Sequence, residues 1–534
     1  QRAADYYLQL VATRGQGRYN GESLYLAAEA SYKIGAYQKA IDVYERAAYE
    51  QSGHAFAVKS GYAAILTYDK LPKKTSVSSQ QDLVQDQILA RRSSIQRFAK
   101  SFPRSKYTPF LLNDLANELF IDKQYVKAEA ISSQVVAMTT IDPQVLYSSW
   151  LVNAHSNFEL ASFGKAEFSY KQLLALNPSK DKDILSERLA AAIYKQAEAE
   201  TVISLSAELY LKVVDTAPES KIVPQALFDA STQFLQISRW QQAIATLSVF
   251  QQRFPEHNLY DDASDKLIFA YLENGEPISA AEKLVQVSNT QDDAEKASNS
   301  LYRAAEIYDE NGFQFEAVQL FSTFSKKYTD LFGLNIEAQQ YNIAYFSDAG
   351  DTKSTLLYQK SLVEYGEKYS SKKTARSSYL VANAALSLAL VDVDSFESLK
   401  LTLPLKKSLA KKKVSLEKVV KRLEKLAGYE VAEVMSAATF QIGLIYRMLA
   451  QDLLHSERPV KLTELQLEQY DILLEEQAYP FEEQAIDIFK INIAKVPEGE
   501  FDKWIDKTYQ VLGEMNPTEF KREAKEIPYA ELPF

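Results

Sequence analysis

Residues 150–178 read WLVNAHSNFELASFGKAEFSYKQLLALNP. Trp150, Ala154, Phe163, Ala166, Tyr170 and Pro178 are spaced so that two short helices of 3.6-residue period place small residues against each other while large residues fill the gap. Pro178 has no N–H to donate and breaks the second helix. The stretch predicts a helical hairpin.

The same hairpin recurs on both sides. The small residue of each second helix falls at Ala128, Ala166, Ser206, Ala243, Ala280 and Ala317, with separations of 38, 40, 37, 37 and 37 residues. Such a period belongs to two-helix repeats, in which no unit buries its apolar face alone and neighbours must stack. An earlier unit over 22–47 has Gly35 and Tyr37 at its turn and Ala40, Tyr44 and Ala47 on its second helix. The next predicts helices over about 54–68 and 83–101, separated by a polar, Ser-rich loop at 72–82. Apolar residues Tyr6, Tyr7, Leu10 and Val11 predict one more helix ahead of these, so the N-terminus is expected to be an interior cut of a longer array. About eight helix pairs fill 1–330.

Composition agrees with an all-α chain: 46% of the 534 residues are hydrophobic, while Gly and Pro number only 16 each, too few for the turns that hairpin-rich sheets require. Lys and Arg total 60 against 71 Asp and Glu, a net charge of -11, which argues against a general nucleic-acid binder. The absence of cysteine excludes disulfides and thiolate metal sites and is compatible with a periplasmic location. The chain opens QRAADYYLQL, with neither an initiator Met nor a signal-peptide pattern, and is expected to be a mature or trimmed fragment. The longest apolar run, VANAALSLALV at 381–391, is too short to span a bilayer and reads as a buried repeat helix.

With tryptophan on the first helix, alanine four later, an aromatic at the turn, alanine three on, another aromatic four on and a closing proline, 150–178 resembles the tetratricopeptide (TPR) repeat. The resemblance implies a right-handed α-solenoid of helix-turn-helix repeats, with first helices lining a concave wall. The period exceeds the common repeat of about 34 residues. The surplus lies after the second helix, in SFPRSKYTP, NPSKDKDI, APESKIVP and RFPEHNLY. Second helices that end aromatic-x3-aromatic-Pro resemble the TPR units of bacterial envelope proteins of the BamD and CpoB type. The segment 474–517, through Tyr479, Pro480, Phe481, Glu482, Ala485, Trp504 and Pro517, is similar to the ends of large periplasmic TPR proteins found with TolQ/TolR- or ExbB/ExbD-like systems, including those of gliding motility. These likenesses imply a Gram-negative periplasm and a scaffold for an envelope energy-transduction, transport or assembly complex, with TolQR/ExbBD-like components as partners.

Beyond 330 the register loosens. Degenerate helix pairs are expected over 331–400, a C-terminal helical region over 401–520 and an extended tail over 521–534. LKKSLAKKKVSLEKVVKRLEKLAG, 405–428, spaces Leu409, Leu416 and Leu423 seven apart with Val419 and Leu426 between, a single apolar stripe on a long basic helix. The stripe could pair two copies into a homo-oligomer. The basic face could dock on anionic lipid, an acidic partner or nucleic acid; the preferred reading pairs it with the acid-rich segment 464–487. Further helices are expected over 430–455, 462–478, 481–495 and 501–515.

Chemistry-bearing patterns are absent. His54, His155, His257 and His455 stand far apart, without an HExxH pair or an acidic calcium loop, and no glycine-rich phosphate loop or GxSxG elbow occurs. Neighbouring carboxylates such as Glu475–Glu476 and Glu482–Glu483 point to different sides of a helix. No catalytic residue, cofactor or metal site is therefore assigned. The inward positions of the first helices should include Tyr25, Glu29, Tyr32, Asn113, Asn117, Phe120, His155, Phe158 and Thr232. Rings supply contact area and amides satisfy a ligand backbone, which suits a protein or peptide partner in a concave groove; the bland alternative is that these residues pack on the next repeat. The expected function is a non-catalytic protein–protein interaction scaffold, with a cytosolic TPR adaptor or regulatory module as the alternative and a helical-repeat enzyme as a third class.

Overall fold

The computed structural model describes residues 1–14, 19–51, 53–71, 78–176, 179–499 and 501–521, with Arg14, 78–84 and Glu498 described by backbone alone. Pro178, most of the loop expected over 72–82, and the tail from 522 lie outside the described residues. Every regular element among the described residues is a helix, and the fold is an all-α helical repeat. The chain forms two compact units, Gln1–Asn274 and Gly275–Phe534. That division is one of compactness, whereas the boundaries expected at 330 and 400 rest on repeat register.

The first unit opens with α1 (Arg2–Arg14) and continues as hairpins α2 (Asn20–Lys33) and α3 (Tyr37–Tyr49), α4 (Ala57–Tyr68) and α5 (Ser78–Ser101), α6 (Thr108–Ile121) and α7 (Tyr125–Val136). Three more elements pairs follow in order: α8 (Pro143–Glu159) with α9 (Phe163–Ala175), α10 (Lys182–Ala199) with α11 (Ile203–Thr216), and α12 (Val223–Gln236) with α13 (Trp240–Arg253). α14 (Tyr260–Glu273) closes the unit. α5 starts five residues before the expected position, so part of the expected loop is helix.

Local chemistry explains where these helices begin and end. Pro109, Pro143 and Pro224 occupy the first turns of α6, α8 and α12, where a missing N–H costs nothing. Asp142 caps α8, its carboxylate accepting from Gln144 N at 2.9 Å. At the hairpin turns the chain steps into the left-handed region, at Gly35 with φ +78° but also at Lys123, Ala161 and Ser238 with φ of 57°, 54° and 56°. In each case the following amide donates back five residues, as Ser162 N does to Asn157 O at 2.9 Å and Arg239 N to Phe234 O at 2.9 Å. This bond satisfies a carbonyl that the helix end leaves open, and it holds even where the turn residue is not glycine.

Burial confirms the spacing read from the sequence. Ala128, Ala166 and Ala243 are fully buried, and so are Ala116, Ala154, Ala192 and Ala230 on the facing first helices. Ser206 occupies the same slot because its Oγ donates to Ala197 O at 2.8 Å, so the hydroxyl is paired inside the interface. Successive repeats are also tied by phenols. Tyr147 OH donates to Asp181 at 2.7 Å and Tyr194 OH to Asp229 at 2.6 Å, each bond spanning one repeat. Arg91 and Arg92 on α5 bind Asp114 and Glu118 of α6 and Asp122 just past its end, spaced four residues apart.

The second unit begins in the same style with α15 (Pro277–Thr290), then α16 (Ala294–Glu310) with α17 (Gln314–Lys327), and α18 (Phe332–Asp348) with α19 (Thr352–Lys368). Ala280 and Ala317 are fully buried, and Tyr341 OH donates to Asp309 at 2.5 Å. Longer helices follow: α20 (Ala375–Glu397), α21 (Leu405–Glu424), α22 (Ala432–Leu454) and α23 (Glu464–Ile493), then α24 (Lys503–Met515) and the single turn α25 (Pro517–Phe520).

Three expectations are corrected here. The run 381–391 belongs to a helix of 23 residues, α20, long and apolar enough to cross a membrane by length and composition. In this unit Leu380, Val381, Ala389 and Phe396 of α20 are buried, and α20 packs on α18, α19, α21 and α22 as a core helix does. The leucine stripe is also internal. Leu416, Val419, Leu423 and Leu426 share one core with Ala389 and Phe396 of α20 and Ile445 and Leu449 of α22, so it offers no face for a second copy. Finally, Pro480 does not separate two helices, since α23 runs through it for 30 residues. A proline inside a helix costs about 3 kcal/mol, and burial of Ala478, Ala485 and Phe489 on its flanks offsets that loss. The Phe489 ring lies so close to Gly443 of α22 that a Cβ there would meet it at 2.6 Å.

Candidate partner-binding surface

The nine positions expected to face a partner all lie on first helices and all are half-buried. They form separate groups. On α2, Tyr25 stacks on Phe56 with ring centroids 5.0 Å apart, Glu29 accepts from Tyr44 OH at 2.6 Å, and Tyr32 meets Tyr37 edge-on at 5.5 Å. Burial and the Glu29 carboxylate raise the pKa of both Tyr25 and Tyr44, which therefore stay neutral donors.

A second group joins α6 to α8. Asn113 accepts from Ser149 Oγ at 2.9 Å, Asn117 donates to Ser148 Oγ at 3.3 Å, and Phe120 lies 5.9 Å from the His155 ring. His155 in turn lies 5.9 Å from Tyr170. Burial, aided by the Arg188 charge, lowers the His155 pKa and keeps the ring neutral at pH 7. Phe158 packs edge-on against Phe163 at 5.4 Å, and Thr232 donates its hydroxyl to Phe228 O at 3.0 Å. The structure thus brings Asn113, Asn117, Phe120 and His155 together and leaves the α2 group and Thr232 apart from them. Much of their polarity joins one repeat to the next, and each side chain stays half-buried.

The other histidines do backbone work: His54 Nε2 lies 2.7 Å from Ala47 O, His257 Nδ1 accepts from Leu259 N at 3.2 Å, and His455 Nδ1 lies 2.7 Å from Gln451 O. Among the described residues no three His, Asp or Glu side chains converge as a metal site.

Two features were not anticipated as sites. A cleft of about 330 Å³ lies among α7, α8 and α9, with Trp150 and Phe168 meeting edge-on at 5.9 Å on its wall. Behind them Asn153 donates to Ser133 at 2.8 Å and accepts from Ser169 at 2.8 Å, a buried amide with both ends used. Alongside, Glu167 is nearly enclosed. Burial pushes its carboxyl up, but hydrogen bonds from Lys171, Lys212 and Gln196 outweigh that and lower its pKa to about 2. The Trp150 stretch carried the signal for this cleft, although the choice of inward positions passed over Trp150.

The other feature is a cavity of about 690 Å³ in the second unit, walled by α19, α20 and α21. Most of its cations come from the basic helix and the residue that follows it, with Lys373 added from the turn before α20; the charges of the basic helix do not pair with the 464–487 segment as expected. Lys418 and Arg422 both bind Asp392 of α20, and Lys412 binds Asp452 of α22. For Asp392, burial works against ionisation, and the bonds from Arg422 and Lys418 overcome it and lower its pKa.

No family model matches the chain, and no curated protein matches it. Solved structures do. YrrB, a TPR protein with an unusual peptide-binding site, is 14% identical with a TM-score of 0.22, and the match covers 38% of this chain and 96% of that one. The C-terminal part of a TPR repeat-containing protein from Cytophaga hutchinsonii is 17% identical, with a TM-score of 0.22 and coverage of 50% and 97%. Pseudomonas aeruginosa pilF is 13% identical, with a TM-score of 0.21 and coverage of 49% and 96%.

Proposed function

We propose that the chain is a non-catalytic, TPR-like interaction scaffold whose first helices hold a protein or peptide segment. The observation that carries this reading is the group on α6 and α8, where Phe120 and His155 present rings while Asn113 and Asn117 are anchored by Ser149 and Ser148. Half-buried rings held beside a paired polar layer provide contact area at little entropic cost. The scaffold works in the Gram-negative periplasm as part of an envelope energy-transduction, transport or assembly complex with TolQR/ExbBD-like components. Support for that placement is the cysteine-free composition and the likeness of 474–517 to the ends of periplasmic TPR proteins.

The test is capture from envelope extract on immobilised protein, compared with a Tyr25→Ala, Tyr32→Ala, Phe120→Ala variant of unchanged helicity. Loss of a defined captured species from the variant supports the reading, and an identical captured set overturns it. Osmotic-shock fractionation of the native gene product tests the placement; retention with cytosolic markers would refute it.

A further inference from the structure

The cavity in the second unit has an apolar floor and a cationic mouth. Val363 and Gly366 of α19, Val381, Ala385 and Leu388 of α20, and Leu426 beyond α21 form the floor. Gly366 sets its depth: a Cβ there would sit 2.5 Å from Val381 Cγ2, so only glycine lets α19 and α20 meet at the back. Around the opening stand Lys373, Lys418, Lys421, Arg422 and Lys425. Lys373 pairs with Glu430 at 3.3 Å, and Lys418 and Arg422 share Asp392. Lys421 and Lys425 are exposed and make no ion pair among the described residues.

The single carboxylate on the wall, Glu367, is engaged by Tyr429 OH at 2.8 Å, and Ser377 is used in the cap of α20 with Thr374. Among the described residues no Asn, Gln or Asp side chain lines the cavity, and its polar groups other than Glu367, Tyr429 and the serines are cations. Its volume lies within the range of about 300–1,000 Å³ typical of small-molecule sites. A greasy floor favours an aliphatic chain, and surplus lysines at the rim favour an anionic end group.

We propose that this cavity binds a soluble single-chain anionic amphiphile, its aliphatic tail against Val381, Ala385, Leu388 and Leu426 and its carboxylate or phosphate head at Lys421 and Lys425. The site is separate from the partner-binding surface of the first unit, and either reading can fail without the other.

Titration calorimetry of the whole chain tests it with dodecanoate and dodecyl phosphate, against dodecanol and inorganic phosphate. Saturable binding of one or both dodecyl anions at one per chain is expected, with dodecanol at least about tenfold weaker and phosphate alone silent. Charge reversal by Lys421→Glu with Lys425→Glu, on exposed positions that leave the fold intact, should weaken binding about tenfold or more. Leu388→Asp, checked for native helicity, should abolish it. Absence of saturable binding, equal affinity for dodecanol, or indifference to the double charge reversal would overturn the proposal. So would binding confined to phosphatidylglycerol vesicles or to an acidic, leucine-rich peptide, which would mark the cavity as a membrane or protein contact.

Discussion

In the first unit, helices other than the 24-residue α5 run 12 to 18 residues and pack chiefly on their neighbours in sequence order. From α20 to α23 the helices run 20 to 30 residues, and α20 and α22 each touch four others. The first arrangement divides its apolar surface among many small, similar interfaces centred on residues such as Ala166 and Ala243. The second gathers Phe396, Leu416, Val419, Leu423 and Ile445 into one core. Identical interfaces can open one at a time, whereas a shared core must open as a whole.

The largest expected effect sharpens that contrast. Leu423→Ala should cost about 2–5 kcal/mol, as deletion of a fully buried leucine side chain does, and hydrogen exchange should show protection falling together over α20, α21 and α22. Ala166→Leu overfills a slot with no space and should cost about 1–3 kcal/mol, with protection lost in α7 to α10 alone. Uniform loss of protection through the first unit in the second variant would break the comparison.

Next in size is Glu167, which joins α9 to Lys212 of α11. Its pKa is depressed in the folded chain, so its contribution is fully present above the usual value near 4.5 and is lost as pH falls toward about 2. Glu167→Gln should cost on the order of 2 kcal/mol at pH 7 and flatten the acid-induced loss of stability between those limits, as followed by urea denaturation at stepped pH. An unchanged acid limb would show that the three donors do not hold the carboxylate.

The smallest effect concerns the turns. Ala161 sits at φ 54° and is fit for glycine, so Ala161→Gly should stabilise the α8–α9 hairpin by up to about 1 kcal/mol. At Gly35, with φ +78° and open space around it, alanine should destabilise by a similar amount. Thermal melts of the two variants should move in opposite directions.

Particular residues show how far the chain could be read. The helical hairpins were legible because alanine at a tight crossing leaves a period, and Ser206 fitted the same slot through a single hydrogen bond. The turns at Lys123, Ala161 and Ser238 were not marked by composition, because the closing bond is made by the backbone. Of the nine expected surface positions, the positions on first helices were readable, while their partition into separate groups depended on which neighbour each ring met. The cavity residues escaped notice because α19 and α21 are far apart in sequence, and only α20 packing on both brings Gly366 near Lys421.

By itself the amino-acid order determined the elements and their repeat, since helix faces and crossing sites are set by residues three to forty positions apart. The tertiary structure alone decided that the leucine stripe is core, that Asp392 and Asp452 claim the basic helix, and that α23 continues through Pro480. Each of those outcomes is a competition among distant groups for burial or charge, and local spacing carries no record of which partner wins.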